Sequence, residues 1–560
     1  MLRRIFKWTA IVLAVLVAGI VIAALALYWS ADLKMPVCNF EDQTDTVVFS
    51  SGDSLRTYGD NWLRHSRSGL WEMKITGSAP NRGYAIGKMA PDLMYYQEKA
   101  FVDQIRHLIP SDSYLKFLRF FIIIFNRHLG VNVPEEYREE IYGMSRSATH
   151  EFDMIGSPYM RQMQYHSAHD LGHALQDYMM VGCSSFSCWG DMTADGGLLT
   201  GRNFDFYMGN DFAANRLVTF CFPDNGYRFA SVGWPGMIGV LSGMNETGLT
   251  VTINAAKSDV PTSSATPISI LAREILQYAS DIDEAYAIAA EMHTFVSESI
   301  LISSSRDGRA AIIEKSPDKM SLYQPSGDSC RVICTNHFQS PLFMQDERNL
   351  ENIRTTDSRY RHMRIREMLD SLPPAAPEDA AKVLRERHGL GGMELGLTNE
   401  LAVNQLIAHH SVIFKPDSLL MWVSTFPWQC GEYVCYDLNR IFSGDTDPGH
   451  EISMPSRTIP HDPFLDTPLY RDAIDYRRLA GYVRKAASHG QAAPQDSISR
   501  LIGSNPFFYD SYNIAGDYFR SRGDKDMAVR MWQEALRHPV AGTAKEDAIR
   551  RKTGDMKQDR

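Results

Sequence analysis

The sequence predicts a layered α+β fold, and three observations support this prediction. The chain has 560 residues, and 44% of them are hydrophobic. At roughly 150 residues per domain, this length allows two to four structural units. From Gly182 onward, short β-rich runs are separated by Asp-Gly, Asn-Gly and Gly-Gly steps, which are typical of hairpins. A pair of helical segments, Pro267 to Ala279 and Ile282 to Met292, interrupts these runs. Antiparallel strands interrupted by paired helices indicate a layered α+β domain.

Residues 1–30 are predicted to form a transmembrane anchor. Three basic residues precede an uncharged apolar run from Trp8 to Trp29, and about 20 such residues span a bilayer as a helix. The basic flank favours a cytoplasmic N-terminus, so we expect the rest of the chain to be extracytoplasmic, in the periplasm or on the outer face. A cleaved signal peptide is the alternative, because Ala24 to Ala26 is an acceptable cleavage site.

Residues 31–182 are predicted to be mainly helical. Apolar residues recur at helical spacing from Met89 to Phe125. A second helix is predicted from Pro134 to Ser147, because proline and acidic residues favour a helix start. We therefore expect a helical segment to precede the β-rich part of the chain.

Residues 183–442 form the predicted β-rich domain, and residues 443–560 form a linker followed by a helical extension. Asn513 to His538 resembles one tetratricopeptide-type helix pair. A single copy cannot bury a core by itself, so we expect this extension to pack against the main domain.

Charge and cysteine content narrow the function classes. The net charge is −10 and no Lys/Arg-rich run is present, so nucleic acid is not an expected partner. Eight cysteines in an exported chain permit disulfides, with Cys330/Cys334 and Cys430/Cys435 close enough in sequence to pair. The alternative is that most of these thiols are buried apolar groups.

Cys183 follows Gly182 at the start of a predicted strand, and a hairpin turn returns the chain past it. This hairpin brings Arg202 and Asp205 beside the strand. A cation next to a thiol lowers its pKa and raises the reactive thiolate fraction. If Cys183 were itself an N-terminus, the carboxylate of Asp205 could hold its α-amine, and that amine could act as general base.

The spacing of Arg202 and Asp205 imposes a structural requirement. Residues an odd number apart on a regular strand point to opposite faces of the sheet. We therefore expect a bulge, or the end of the strand, to reorient one of these two side chains.

Short motifs follow one another across roughly residues 75–425: Gly77 to Gly87, Glu139 to Met144, Gly182-Cys183, Gly201 to Asp205, Asn245 to Asn254, Thr335 to Phe338 and Ser358 to Tyr360. Their order and spacing resemble those of the isopenicillin N acyltransferase group (the C45 autoproteolytic peptidases), within the choloylglycine hydrolase and acid-ceramidase-type N-terminal-nucleophile hydrolases. The resemblance implies a four-layer αββα sandwich that starts at Cys183, after a helical pro-segment.

The resemblance also implies an enzyme that cuts itself between Gly182 and Cys183. It would act on a linear N-acyl amide through an acyl-thioester, as a hydrolase or an acyltransferase, with no cofactor or metal. The partners would be a small-molecule N-acyl amide, the membrane and, after the cut, the other fragment of a heterodimer. The implied roles are nucleophile and base for Cys183, thiol contact for Arg202, amine contact for Asp205, oxyanion-hole donors for Asn254 and Asn336, and transition-state stabilisation for Arg359.

Two alternative functions remain open. His166, His169 and His173 lie on one face of a predicted helix and could hold zinc with an open position for water. That helix lacks the glutamate of a His-Glu-x-x-His site, so it supplies no general base. The other alternative is a non-catalytic, membrane-anchored binding protein on the same fold.

Overall fold

The fold is α+β, as predicted, and is built on two sheets. The computed structural model describes residues 2–29, 34–40, 46–50, 54–109, 111–167, 170, 180–259, 263–327, 329–494 and 496–558. The strands in this part of the chain are β1 Val48–Ser50, β2 Leu55–Tyr58, β3 Asn61–His65, β4 Trp71–Gly77, β5 Met180–Cys188, β6 Leu199–Tyr207, β7 Leu217–Pro223, β8 Phe229–Gly233, β9 Ser242–Asn245, β10 Leu249–Ala255, β11 Glu298–Ser304, β12 Arg309–Lys315, β13 Met320–Tyr323, β14 Arg331–Cys334, β15 His410–Lys415, β16 Leu420–Ser424 and β17 Tyr433–Asp437.

In the described part of the chain, the larger sheet has eleven strands in the order β1-β2-β3-β4-β7-β8-β9-β10-β11-β12-β13. The smaller sheet has six described strands in the order β14-β5-β6-β15-β16-β17. Among these strands, β4 and β7 pair parallel and the other neighbours pair antiparallel. In the smaller sheet β5 lies beside β6, so that Cys183 is opposite Phe204.

The helices lie before, between and after these strands. They are α1 Leu2–Trp29, α2 Ala79–Met89, α3 Pro91–Leu108, α4 Asp112–Phe125, α5 Leu129–Asn132, α6 Glu135–Ser145, α7 Pro158–His166, α8 Ile268–Tyr278, α9 Ile282–Glu291, α10 Glu347–Thr355, α11 Ser358–Ser371, α12 Pro377–Leu384, α13 Leu438–Phe442, α14 Pro468–Ser488, α15 Ser497–Ser504, α16 Tyr509–Ser521, α17 Lys525–Ala535 and α18 Thr543–Gln558. Within the described residues, none of these helices combines the length and the apolarity needed to cross a membrane.

The two sheets pack face to face, and each carries helices on its other face. Val251 of β10 belongs to the same apolar cluster as Leu271 of α8, on the outer face of the larger sheet. The alternate residue Asn254 faces the smaller sheet, where its Oδ1 accepts a hydrogen bond from Ser185 Oγ at 3.1 Å. On the far side of the smaller sheet, Phe186 of β5 packs with residues of α11 and α12.

The segment before Cys183 carries helices α2 to α7, and it also contains strands that the sequence analysis did not predict. Strands β1 to β4 lie within it, and β4 joins the larger sheet through β7. Gly59 and Gly69 adopt positive φ values of 53° and 86° in the turns between these strands, a conformation that glycine tolerates. This segment is therefore part of the core of the protein.

Two of the sequence motifs before Cys183 contact each other where α2 crosses α6. A Cβ atom on Gly83 would lie 1.8 Å from the carbonyl oxygen of Glu140, so only glycine fits this crossing. The Glu140 carboxylate lies 2.6 Å from Arg82 Nη2 and 3.4 Å from Arg273 Nη2. Because Arg273 belongs to α8, this buried ion cluster joins the segment before Cys183 to the chain after it.

Gly83→Ala should lower the free energy of unfolding by at least about 2 kcal/mol, because a backbone-to-backbone contact cannot relax by a rotamer change. Urea unfolding of the two proteins measures the change. Gly481→Ala in α14 is the matched control, since a Cβ there meets nothing within 4 Å; it should be neutral or stabilising by up to about 1 kcal/mol. Equal stability of the two variants would contradict a close crossing.

The C-terminal helices pack against the main domain, as predicted. Asn505 Oδ1 accepts a hydrogen bond from the Leu397 backbone nitrogen at 2.8 Å, and its Nδ2 donates to the Leu397 carbonyl oxygen at 2.7 Å. Lys545 Nζ lies 2.7 Å from Glu400. All eight cysteines lie in the described part of the chain and carry free thiols, so neither of the pairs considered from sequence forms a disulfide here.

Candidate active site

Cys183 lies in the middle of β5, and its side chain is buried between the two sheets. Its Sγ lies 3.8 Å from Nη2 of Arg202, which is on the neighbouring strand β6. The two residues share a face because Cys183 pairs with Phe204 and Arg202 is two residues further along the strand. The structure therefore brings the predicted cation to the thiol.

Arg202 is held by contacts to the larger sheet. Its Nη2 also donates to the carbonyl oxygen of Ile253 at 2.5 Å, and its Nη1 donates to that of Leu241 at 3.1 Å and to Ser242 Oγ. The guanidinium carbon lies 4.4 Å from the centre of the Phe204 ring. These contacts fix the position of a buried positive charge beside the sulfur.

Burial raises the pKa of the Cys183 thiol to about 11, and the nearby Arg202 charge opposes this rise only in part. At pH 7 the thiolate fraction is then on the order of one in ten thousand. Cys183 is therefore a protonated thiol at this pH.

Asp205 lies on the opposite face of β6 and is paired with Gly182. The β5–β6 register is regular along its whole length, so the expected bulge is absent from this described hairpin. The expectation of a bulge was wrong because the two side chains have different neighbours. Arg202 faces the Cys183 thiol, whereas Asp205 faces the backbone at residue 182.

The carboxylate of Asp205 is buried, and neither oxygen accepts a hydrogen bond from any residue that the structure describes. Burial raises its pKa to about 7, although Arg361 and Arg202 oppose the rise. A buried carboxylate without hydrogen bonds is costly. Asp205 is thus suited to pair with a cation.

The two predicted asparagines occupy different places. Asn336 contacts Cys183 directly, since its Oδ1 accepts a hydrogen bond from the Cys183 backbone nitrogen at 3.0 Å. Its Nδ2 donates to the carbonyl oxygen of Ala255 at 2.9 Å. Asn254, on β10, lies beside a later residue of β5, because it contacts Ser185. Its Nδ2 donates to the carbonyl oxygen of Cys334 at 2.9 Å.

Arg359 does not contact Cys183; it is exposed, and the arginine at the site is Arg361. Arg361 Nη1 donates to the Cys183 carbonyl oxygen at 2.7 Å, and its Nη2 donates to Asn336 Oδ1 at 2.7 Å. Its Nε bonds Asp357 at 2.8 Å. Positions 358, 361 and 365 share the buried face of α11, and this helical spacing is the signal that would have found Arg361.

Two histidines that the sequence analysis did not select complete the surroundings of Arg202. His410 Nε2 lies 2.9 Å from Ser242 Oγ and 3.4 Å from Arg202 Nη1. Its Nδ1 lies 3.0 Å from Nδ1 of His409. Burial lowers the pKa of both rings well below the usual value for histidine, so both are neutral.

His166, the first of the three histidines considered for zinc, has both ring nitrogens bonded within the protein. Nδ1 lies 2.7 Å from the Gln162 carbonyl oxygen, and Nε2 accepts a hydrogen bond from the Ile238 backbone at 3.1 Å. Burial lowers its pKa to about 4. His169 and His173 lie outside the described residues. Among those described, no group of three or more His, Cys, Asp or Glu is placed to hold a metal.

Comparison with solved structures gives weak overall likenesses. A Caenorhabditis elegans N-acylethanolamine-hydrolyzing acid amidase ortholog is 17% identical and covers 42% of this chain and 93% of its own, with a TM-score of 0.31. A mutant conjugated bile acid hydrolase from Clostridium perfringens is 11% identical and covers 50% of this chain and 97% of its own, also with a TM-score of 0.31.

Among curated sequences, an uncharacterized protein of Archaeoglobus fulgidus is 27% identical over 271 residues, which is 46% of this chain and 45% of that protein. Protein dcd1B of Dictyostelium discoideum is 24% identical over 275 residues, which is 45% of this chain and 51% of that protein. The chain thus matches about half the length of these relatives.

The model of the family described as acyl-coenzyme A:6-aminopenicillanic acid acyl-transferase matches residues 192–392. The match begins after Cys183 and takes in Arg202, Asp205, Asn336 and Arg361. It covers β6 to α12, and therefore most of the elements that surround Cys183. Residues 192–392 are therefore similar to the acyl-coenzyme A:6-aminopenicillanic acid acyl-transferase family, in agreement with the family that the sequence motifs indicate.

Proposed function

We propose that this chain is a cysteine-nucleophile hydrolase or acyltransferase that acts on a linear N-acyl amide after cutting itself between Gly182 and Cys183. One observation carries the proposal. The Cys183 thiol lies against the Arg202 cation, while the buried Asp205 carboxylate faces the backbone of Gly182. The first contact suits a nucleophile, and the second suits an ammonium group that exists only after the cut.

In the self-cleavage step, Sγ of Cys183 attacks the carbonyl carbon of Gly182. A carbon–sulfur bond forms, the carbon–nitrogen bond breaks, and the leaving nitrogen takes up the proton that the thiol loses. Water then hydrolyses this thioester and returns the thiol. Arg361 and Asn336 hold the carbonyl and nitrogen of Cys183, which keeps the reacting backbone in place.

The cut turns the Cys183 nitrogen into an α-amine with an ordinary pKa of about 7.7 to 8. This nitrogen already donates to Asn336, and it lies on the strand opposite the Asp205 carboxylate. The neutral amine is the base that a thiol of pKa about 11 requires. When protonated, it pairs with Asp205, so that both charges become compensated.

In turnover, Cys183 attacks the substrate carbonyl, the amine leaves, and an acyl-thioester remains until water or a second amine releases it. Asn336 and Asn254 are the proposed oxyanion-hole donors, an interaction worth roughly 3 to 4 kcal/mol per donor. The Asn336 amide is the one that adjoins Cys183. Arg361 takes the stabilising role that the sequence analysis assigned to Arg359.

The two fragments are proposed to remain together as a heterodimer on a four-layer αββα sandwich. Residues 31–182 supply β1 to β4 of the larger sheet, and the Arg82–Glu140–Arg273 cluster crosses from one fragment to the other. Losing either contact would expose a buried sheet edge or leave a buried charge unpaired. The anchored, extracytoplasmic location expected from the N-terminus stays a prediction.

Intact-mass measurement of the purified full chain tests the proposal. Two fragments should be found, the second beginning at Cys183, and they should elute together in native gel filtration. After incubation with an N-acyl amide, the Cys183 peptide should carry the mass of the acyl group. A chain that stays uncut and still turns over amides would contradict the self-processing mechanism, and failure of the cut chain to acylate would contradict the enzymatic one.

A further inference from the structure

Gln405 lies directly behind Gly182, on the face of β5 opposite the Cys183 thiol. A Cβ atom built on Gly182 would lie 3.1 Å from Gln405 Nε2 and 3.7 Å from Arg361 Nη2. Because adjacent residues of a strand point to opposite faces, this Cβ direction leads away from the thiol. Gln405 is itself buried, with a relative exposure of 5%. Its side-chain amide therefore packs on the residue whose carbonyl is attacked in the proposed self-cleavage.

The position of Gly182 relative to the thiol decides whether this attack can occur. Sγ of Cys183 has to reach the carbonyl carbon of the preceding residue, and any shift of Gly182 away from the thiol lengthens that path. Reacting atoms have to be held about 3 to 3.5 Å apart, and a misplacement of about 1 Å can cost about 100-fold in rate. A side chain packed on the far face of Gly182 blocks such a shift, and Gln405 is placed to do so.

The segment from Glu400 to Leu406, which carries Gln405, is held by the C-terminal helices at both of its ends. At the first end, the Glu400 carboxylate lies 2.7 Å from Lys545 Nζ of α18. It also accepts a hydrogen bond from the Tyr509 hydroxyl of α16 at 3.2 Å. The Glu400 carbonyl oxygen accepts a hydrogen bond from Gln405 Nε2 at 3.3 Å. Two helices of the C-terminal extension are thereby linked to the amide behind Gly182.

Leu406, at the other end of this segment, has a positive φ of 55°. A non-glycine residue adopts this conformation only where its surroundings hold it. The Leu406 side chain is buried in an apolar cluster with Ala473 of α14. Its carbonyl oxygen accepts a hydrogen bond from Arg477 Nη2 of the same helix at 2.7 Å. Helix α14 therefore fixes the residue next to Gln405.

We infer that Gln405 is a positioning residue for self-cleavage, and that the C-terminal helices promote the cut by holding the segment from Glu400 to Leu406. The inference rests on the proposed function, since it concerns the bond between Gly182 and Cys183. Gln405 blocks the movement of Gly182 away from the thiol, and the C-terminal helices keep Gln405 in place.

Cell-free synthesis of the full chain tests the role of Gln405. After translation is stopped, the cut fraction of the protease-resistant protein is followed with time, so that unfolded chains do not contribute to the rate. Gln405→Ala removes the atoms behind Gly182 and should slow the cut by about 10-fold or more. Gln405→Met places an unbranched side chain of similar length there, and it should restore the rate to within about 3-fold of wild type.

Gln429→Ala is the matched control, because Gln429 is also buried and its amide atoms have no hydrogen-bond partner in the described chain. It should be cut at the wild-type rate. The inference is overturned if Gln405→Ala is cut as fast as wild type, if Gln405→Met is as slow as Gln405→Ala, or if Gln429→Ala is equally slow. These results leave self-cleavage itself intact. A wild-type chain that stays uncut overturns the proposed self-cleavage and this inference with it.

Two arginines of α14 test the contribution of the C-terminal helices. Arg477→Met removes the hydrogen bond to Leu406 and should slow the cut by about 5-fold. Arg484→Met is the matched control, since it breaks a contact to Asp510 of α16, inside the extension, and should keep the wild-type rate. Equal rates for these two variants would overturn the role of the C-terminal helices in the cut.

Discussion

Cys183→Ala should leave the chain in one piece and lower amide turnover by at least about 10⁴-fold. The variant has no sulfur to attack the Gly182 carbonyl and no nucleophile for the substrate, so both steps fail through one change. Intact mass shows the uncut chain, and fluorescence released from an N-acyl amide of 7-amino-4-methylcoumarin measures turnover.

Cys188→Ala is the matched control for this prediction. Cys188 lies on the same strand and is also buried, but it packs in the apolar cluster on the other face of the smaller sheet. We expect this variant to be cut between Gly182 and Cys183 and to retain turnover, with only a modest loss of stability. If both cysteine variants were cut to the same extent, Cys183 could not be the nucleophile.

Asp205→Asn should act in opposite directions on stability and on activity. In the uncut chain, burial raises the pKa of Asp205 from its ordinary value of 3.8 to about 7. The folded chain then binds this proton more tightly than the unfolded chain, so stability is fully present below about pH 4 and declines as pH rises to about 7. The loss between these two pH values is on the order of 4 kcal/mol.

Urea unfolding of the Cys183→Ala protein, with and without Asp205→Asn, measures this pH-dependent change in the free energy of unfolding, because neither protein is expected to cut itself. The double variant should be the more stable of the two at pH 7, and the difference should vanish near pH 4. A difference that is constant across this range would contradict a buried, titrating Asp205.

The same substitution on the wild-type background should lower turnover by about 100-fold or more, because a neutral amide does not hold the freed ammonium as a carboxylate does. Asp195→Asn in the turn of the same hairpin is the control. Asp195 is exposed and contacts Lys415, and its variant should keep wild-type turnover. Full activity of Asp205→Asn would remove Asp205 from the mechanism.

The sequence could predict the hairpin around Cys183 because its signals are local. Cys183, the turn at Asp195 to Gly197 and Arg202 all lie within one hairpin, and pairing of adjacent strands follows from the turn. The strands β1 to β4 could not be recognised in the same way. Their place in the larger sheet depends on the pairing of β4 with β7, whose residues lie well over one hundred positions later in the chain.

The site residues divide along the same line. The hairpin brings Arg202 to the Cys183 thiol and pairs Asp205 with Gly182. The other predicted arginine was misassigned by two positions. Motif order pointed to Arg359, but the burial of a helix face decides which arginine reaches the strand, and that face carries Arg361. The sequence analysis expected the side chains of Arg202 and Asp205 to lie on one face of the sheet. In the structure Arg202 contacts the Cys183 thiol, and Asp205 is paired with Gly182 on the opposite face.

The contacts that hold the backbone at Cys183 come from late in the chain. Asn336 follows β14 and Arg361 lies in α11, some 150 and 180 residues beyond the Gly182–Cys183 bond. A nascent or misfolded chain that has not yet docked these elements does not present the bond in the geometry described above. Self-cleavage would thus occur only in chains that have completed their fold, and the cut form would distinguish these chains from incompletely folded ones.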